Sequence, residues 1–255
     1  MSDAPVPQSV SRFSGLSDVY DKYRPRYPEA AILAILEGLG TTPTVVDVGA
    51  GTGISTRALG DAGARVIAIE PNDDMRAFAV ASGVDARRGS ATATGLLDGC
   101  ADAVASFQAF HWFANAPALA EFRRIMRPGG GRVALVWNER DASDPFMHEM
   151  RELEKRIGEA KMLAGANFSD ESVEPLLRGA GFESIRRLQY EHVQVVDKTA
   201  LVGRVRSLSF APRSGPELTA LLSDLDALHA QYADATGHVS LRYRTELILG
   251  DPGAA

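Results

Sequence analysis

Apolar and polar positions along the chain fall into two alternating rhythms. Short apolar runs, VVDV at 45–48, RVIAIE at 65–70, DAVASF at 102–107 and RVALVW at 132–137, predict strands, with a further short one at 84–88. Between them lie segments with helical spacing. Residues 29–39 carry an apolar stripe of Ile32, Leu33, Ile35, Leu36 and Leu39, and residues 116–126 predict another helix. Five strands alternating with helices imply right-handed crossovers and a parallel α/β sheet. The second half departs from this rhythm. Helices are expected at 145–162, 170–181, 198–207 and 217–232, a long strand at 182–196, and a final alternating, antiparallel strand at 239–249.

The first strand runs into Gly49, Gly51 and Gly53 and then into a helix start at Ile54-Ser55-Thr56. Glycines there allow positive φ and let a ligand approach the backbone, while the unpaired N–H groups of the first helical turn face whatever binds. A dinucleotide fingerprint would need glycine at Ile54, which weakens an NAD reading. Glu70 ends the second strand about 20 residues after the turn, where a doubly wound sheet puts an acid within reach of a ribose diol. Asn72 or Asp73 is the expected cap of the next helix; Asp73 and Asp74 read as first-turn acids rather than metal ligands, and no metal is expected.

The fourth strand exits into Gln108-Ala109-Phe110-His111-Trp112-Phe113. In open α/β sheets ligands bind beyond the carboxyl ends of the strands near the switch point, so this loop is placed for chemistry. His111 taken alone reads better as a hydrogen-bonded structural histidine; its place in this loop favours a pocket position. Upstream, Pro25 and Pro28 bias the preceding residues to extended conformations, so a short helix at 17–23 stops before an arm containing Tyr23, Arg24 and Tyr27.

Composition narrows the classes. At 255 residues, with 45% hydrophobic and 24% charged positions, the chain is sized for one domain with room for a cap. No apolar run approaches the roughly 18 residues that would span a bilayer. The start, MSDAPVPQSV, reads as a flexible tail over residues 1–12 without a secretory signal. The single cysteine, Cys100, excludes an intrachain disulfide and fits a cytoplasmic setting. A net charge of −6 gives no attraction to nucleic acid. Arg186-Arg187 and Arg204-Arg206 read as scattered surface charge. Oligomeric state is open.

D-x-G-x-G-x-G at 47–53 resembles motif I of the class I S-adenosylmethionine (SAM) dependent methyltransferases. Tyr-Arg-Pro-x-Tyr-Pro at 23–28 and Q-A-F-H-W-F at 108–113 resemble segments of the small-molecule branch of the trans-aconitate methyltransferase type. The R-P-G-G turn at 127–130 is also similar, with Met126 where Leu is usual. The resemblance spans residues 20–249. It implies a Rossmann-like seven-stranded sheet, mostly parallel with an antiparallel last strand, helices on both faces, and one domain over 1–255 with cap segments at 140–168 and 198–235. It also implies SAM as cofactor, S-adenosylhomocysteine as product, and a small-molecule acceptor.

Residue by residue, the resemblance puts Asp47, Gly49, Ala50, Gly51 and Gly53 around the cofactor. Glu70 would hold the ribose, with Pro71 beside it and Met75 near adenine; Phe107 and Gln108 would border the pocket. Ser90, beside Ala91, stands where many relatives carry an acid toward the adenine amino group, so that contact should be weaker. Arg24 would pair with the cofactor's methionyl carboxylate or with an acidic acceptor, Tyr23 would line the transfer cavity, and His111 would be the base for a hydroxyl or amine acceptor; a carboxylate acceptor needs none. No Asn/Asp-Pro-Pro-Tyr motif is present, and Cys100 follows Gly99, against nucleic-acid methylating branches. A non-catalytic SAM-binding scaffold is the alternative, and an NAD-dependent oxidoreductase ranks below it.

Overall fold

A computed structural model describes residues 15–158 and 170–253. The expected tail, residues 1–12, and the part of the first cap segment from 159 to 168 lie outside the described residues. The strands are β1 (Thr44–Val48), β2 (Arg65–Ile69), β3 (Ala86–Arg87), β4 (Ala103–Phe107), β5 (Arg132–Arg140), β6 (Phe182–Asp197) and β7 (His238–Pro252), in one sheet of order β3-β2-β1-β4-β5-β7-β6. From β3 to β5 neighbours are parallel, while β7 runs antiparallel to β5 and β6 on either side of it. This is the expected mostly parallel sheet with an antiparallel last strand. Connections reverse direction between β1 and β4, so a crevice opens at their carboxyl ends.

The helices are α1 (Ser17–Tyr23), α2 (Glu29–Leu36), α3 (Ile54–Asp61), α4 (Asp73–Ala81), α5 (Ala116–Ile125), α6 (Pro145–Ile157), α7 (Asp170–Gly179), α8 (Lys198–Arg206) and α9 (Gly215–Tyr232). Strand residues alternate between two cores. Val46, Val48 and Val104 pack on one face against Phe122 and Ile125 of α5 and Leu177 of α7. Val45, Ala103 and Ala105 face the other way onto Ile32 and Ile35 of α2 and Leu59 of α3. Burial on both faces explains why the central strands read as near-continuous apolar runs. Each fully buried Leu, Ile or Phe contributes about 1.5–3 kcal/mol, so both faces are firmly held.

Strands β6 and β7 overrun β5. Arg140, the last residue of β5, pairs with Tyr243, and residues 238–242 continue pairing with β6. This projecting ribbon supports a separate core in which Val239, Leu241 and Tyr243 meet Met147 and Met150 of α6, Leu201 of α8 and Leu225 of α9. Helix α1 crosses to this layer, its Tyr23 ring filling the slot left by Gly203 of α8, where an added Cβ would fall 2.3–2.6 Å from the ring.

Some boundaries differ from the sequence pattern. Helix α2 ends at Leu36 because Glu37 turns to an extended ψ of 123°, short of the expected 39. Strand β5 continues past Trp137 through the polar Asn138-Glu139-Arg140 because β7 supplies a ladder partner for each. That extension carries three polar side chains to the rim of the crevice.

Candidate active site

The turn after β1 depends on its glycines. Gly49 and Gly51 have φ of +76° and +58°. A Cβ on Gly49 would stand 2.6 Å from Ala109 Cβ, whereas one on Gly51 would enter open space that borders the crevice. Gly53 works differently: it caps α3 in the left-handed region, and a Cβ there would approach Val84 Cγ2 to 2.9 Å, so its role is close packing beneath the turn. It lines neither cavity described below.

Asp47 also sits beneath the turn. Its buried carboxylate accepts the Ser55 hydroxyl at 2.6 Å and the Thr56 hydroxyl at 2.7 Å, which ties the end of β1 to the first turn of α3. Burial pushes its pKa up to about 6, with those two hydrogen bonds opposing the rise. Glu70 leaves β2 with one carboxylate oxygen accepting the Gly51 N–H at 2.8 Å and the other the Asn72 N–H at 2.7 Å. Burial raises its pKa and the two backbone hydrogen bonds restrain it. Asn72 is the cap of α4, its side chain accepting the Met75 N–H at 2.9 Å.

Two cavities flank this turn. The smaller, about 290 Å³, is bordered by Glu70, Pro71, Met75, Ser90 and Ala91. The larger, about 390 Å³, is bordered by Ala50, Arg24 and His111 and by the cap. Gly49, Gly51, Phe107, Gln108, Tyr20 and Trp112 border both, so the two form one cleft over the switch point. Gln108 lies at this junction with φ of +52°, the single positive-φ residue other than glycine among the described residues. Its N–H donates to Val136 O at 2.8 Å and its side-chain amide to Asn138 O at 3.3 Å, which hold it in that conformation. Such strain concentrates at functional positions.

His111 lies in a short 3-10 turn, Phe110–Trp112, with its ring 4.9 Å from that of Trp112. Desolvation pulls its pKa down to about 4, so it is neutral at pH 7. Arg24 donates to Ser207 O at 3.2 Å and lays its guanidinium 4.6 Å from the Tyr20 ring centroid. Burial lowers its pKa to about 10; Tyr20 opposes the fall while Arg204 and Arg140 add to it.

The cleft thus gathers Gly49, Ala50, Gly51, Glu70, Pro71, Met75, Ser90, Ala91, Phe107, Gln108, Arg24 and His111. Asp47 and Gly53 stand behind it as supports. Tyr23 is directed to Gly203, and Tyr20, one turn earlier in α1, borders both cavities in its place. Trp112 lies in the loop that the sequence placed for chemistry, whereas sequence reasoning missed Tyr20 and also Arg140, Arg151 and Arg204 in the larger cavity. Arg204, read as surface charge, is 4% exposed. The valines near it in the chain, Val202 and Val205, do not by themselves tell a buried helix from a surface one.

Over 239 residues, 91% of this chain and 92% of the other, the sequence is 32% identical to an uncharacterized methyltransferase of Mycobacterium tuberculosis. The chain belongs to the class I SAM-dependent methyltransferases. Residues 46–134 match the methyltransferase domain family, and an uncharacterized methyltransferase of Schizosaccharomyces pombe is 32% identical over 66% of each chain. The fold of this methyltransferase is shared with the YcgJ protein of Bacillus subtilis (16% identity, TM-score 0.58, 89% of this chain and 100% of that one). It is shared too with a SAM-dependent methyltransferase of Thermotoga maritima (18% identity, TM-score 0.50, 92% of each chain). Among the described residues no helix is long and apolar enough to cross a membrane, and no three His, Cys, Asp or Glu side chains gather to hold a metal ion.

Proposed function

We propose that this methyltransferase moves the methyl group of SAM to a small-molecule acceptor, with adenosine in the smaller cavity and the acceptor in the larger. The observation that carries this reading is the continuity of the two cavities across Gly49, Gly51, Phe107 and Gln108. Bound SAM supplies a methyl group on a positively charged sulfur, open to displacement from the opposite side, and S-adenosylhomocysteine is the product.

The chain's own residues do the rest. Glu70 keeps lone pairs beyond those used by Gly51 and Asn72, enough to accept two ribose hydroxyls. Met75 and Ala91 offer apolar walls to adenine, the Met75 thioether packing on a flat ring, and the Ser90 hydroxyl accepts from its amino group. Arg24 faces the methionyl carboxylate. Phe107, with Tyr27 packed edge-on at 4.7 Å, and Trp112 exclude water, so that holding nucleophile and methyl collinear supplies most of the acceleration.

His111, with a pKa of about 4, is a hydrogen-bond acceptor and a weak base, which favours a carboxylate over a hydroxyl or amine as the atom methylated. The whole chain acts as one domain, with α1, α6, α8 and α9 as its cap, in a cytoplasmic setting, and nucleic acid is not its substrate. Calorimetry tests the reading: SAM and S-adenosylhomocysteine bind and NAD does not. Binding of NAD in preference to SAM would overturn it.

A further inference from the structure

We propose that Arg204, with Arg140 on the same cavity wall, forms an oxyanion subsite that anchors a carboxylate or phosphate group of the acceptor at a point away from the atom that is methylated. This rests on the reading of the larger cavity as the acceptor site. Arg204 projects from α8 and is 4% exposed, yet its Nη1 has no hydrogen-bond partner among the described residues. Its Nε donates to the Tyr243 hydroxyl at 3.2 Å, which fixes the guanidinium plane. A buried guanidinium with an unmatched N–H is a costly arrangement unless something with a negative oxygen completes it.

The charges around it do not supply that oxygen. Arg24, Arg140, Arg151 and Arg204 all border the larger cavity, and among the described residues Glu139 is the one carboxylate on its wall. Buried Glu154 of α6 forms its ion pair with Arg140, and its charge also favours the Arg204 cation, but neither of its oxygens accepts a hydrogen bond from Arg204. Bound SAM makes the balance more positive, since its amino group offsets its carboxylate and the sulfonium charge remains. If Arg24 takes the methionyl carboxylate, Arg204 is left with an unpaired donor on a side chain that borders the acceptor space. It borders the larger cavity only, so it is removed from the adenosine contacts.

A guanidinium matches carboxylate and phosphate oxygens through paired N–H donors, which makes it selective for oxyanions over halide. An arginine bonded directly to the attacking carboxylate would withdraw its electron density, so the anchored group is a second one. The acceptor is therefore a small molecule with an oxyanion besides its methyl-accepting atom.

The test is a titration of 15N-labelled protein, first shown by calorimetry to bind S-adenosylhomocysteine, followed through the arginine Nε–Hε resonances. Sodium succinate and sodium phosphate are added in separate arms, with sodium chloride and succinamide as controls. The resonance of Arg204, assigned with Arg204→Lys, should shift saturably with succinate or phosphate at a midpoint at least ten-fold below any response to chloride, and should not move with succinamide. Whichever oxyanion saturates first names the source. In Arg204→Met that affinity should fall at least ten-fold; if this variant does not fold, the wild-type titration still decides. A resonance that stays still, or one that responds equally to chloride, overturns the subsite. Absence of S-adenosylhomocysteine binding would instead count against the methyltransferase site, and the same oxyanion titration on the unliganded protein would then decide the subsite by itself.

Discussion

At the Glu70 end of the cleft, the site is made largely of backbone from one βαβ stretch: a glycine turn, two N–H groups held by Glu70, and a capped helix start. At the Arg204 end it is made of side chains brought together from α1, β5, α6 and α8, so that Arg24 meets the carbonyl of Ser207 across a sequence separation of 183. The first kind of site accepts a ligand whose shape is fixed, because backbone geometry leaves little to vary. The second can be changed one side chain at a time without disturbing the sheet. A common cofactor and an individual acceptor call for this division.

The sharpest way to break the comparison is to alter backbone at the rigid end. Gly49→Val puts a Cβ 2.6 Å from Ala109 Cβ at a φ of +76°. It should cost about 2–6 kcal/mol of stability and abolish S-adenosylhomocysteine binding, read by thermal unfolding and calorimetry. A variant that binds normally would show that the turn is not the cradle.

Asp47 tests the support beneath it. The carboxyl has a pKa of about 6 in the fold against 3.8 ordinarily, so its neutral form is favoured on folding. That contribution is fully present below pH 3.8 and is lost as pH rises through 6, a change of about 3 kcal/mol. Denaturant unfolding at pH 3.5 and pH 7 should therefore show wild type losing about that much relative to Asp47→Asn. A difference that does not change with pH contradicts the raised pKa of the buried carboxyl.

Glu70→Ala removes the acceptor of two backbone N–H groups and, on the proposed reading, of the ribose, and should weaken SAM by about 1.5–3 kcal/mol in calorimetry. Unchanged affinity would remove Glu70 from the site. The smallest effect belongs to the join between the two ends. Asp21 of α1 pairs with Arg57 of α3, which also donates to Thr52 O at 2.9 Å, so Asp21→Ala loosens the arm over the turn. The expected loss of S-adenosylhomocysteine affinity is about 0.5–1 kcal/mol. No loss would detach the arm from cofactor binding.

The same contrast governs what could be read from the amino-acid sequence. Val45 to Gly53 and the acid at Glu70 are local patterns, and the first strand, the glycine turn and the place of Glu70 on the cleft wall all followed from them. Arg204 offered no such pattern: a charge flanked by valines looks alike on a surface helix and on a buried one until Tyr243, from a strand 39 residues away, is seen to meet it. Asn138, Glu139 and Arg140 end the apolar run, and only the β7 ladder shows that the strand continues. Tyr23 belongs to the aromatic arm that leads into the prolines, which made it the expected cavity residue; the slot at Gly203 that takes its ring is a tertiary fact. The strain at Gln108 leaves no trace in residue type.

The most direct measurement is a crystal structure of the complex with S-adenosylhomocysteine. The ribose diol should lie on Glu70, adenine between Met75 and Ala91, and the sulfur should face the cavity bordered by His111 and Arg204. A ribose bound away from Glu70, or a sulfur turned from that cavity, would contradict the account.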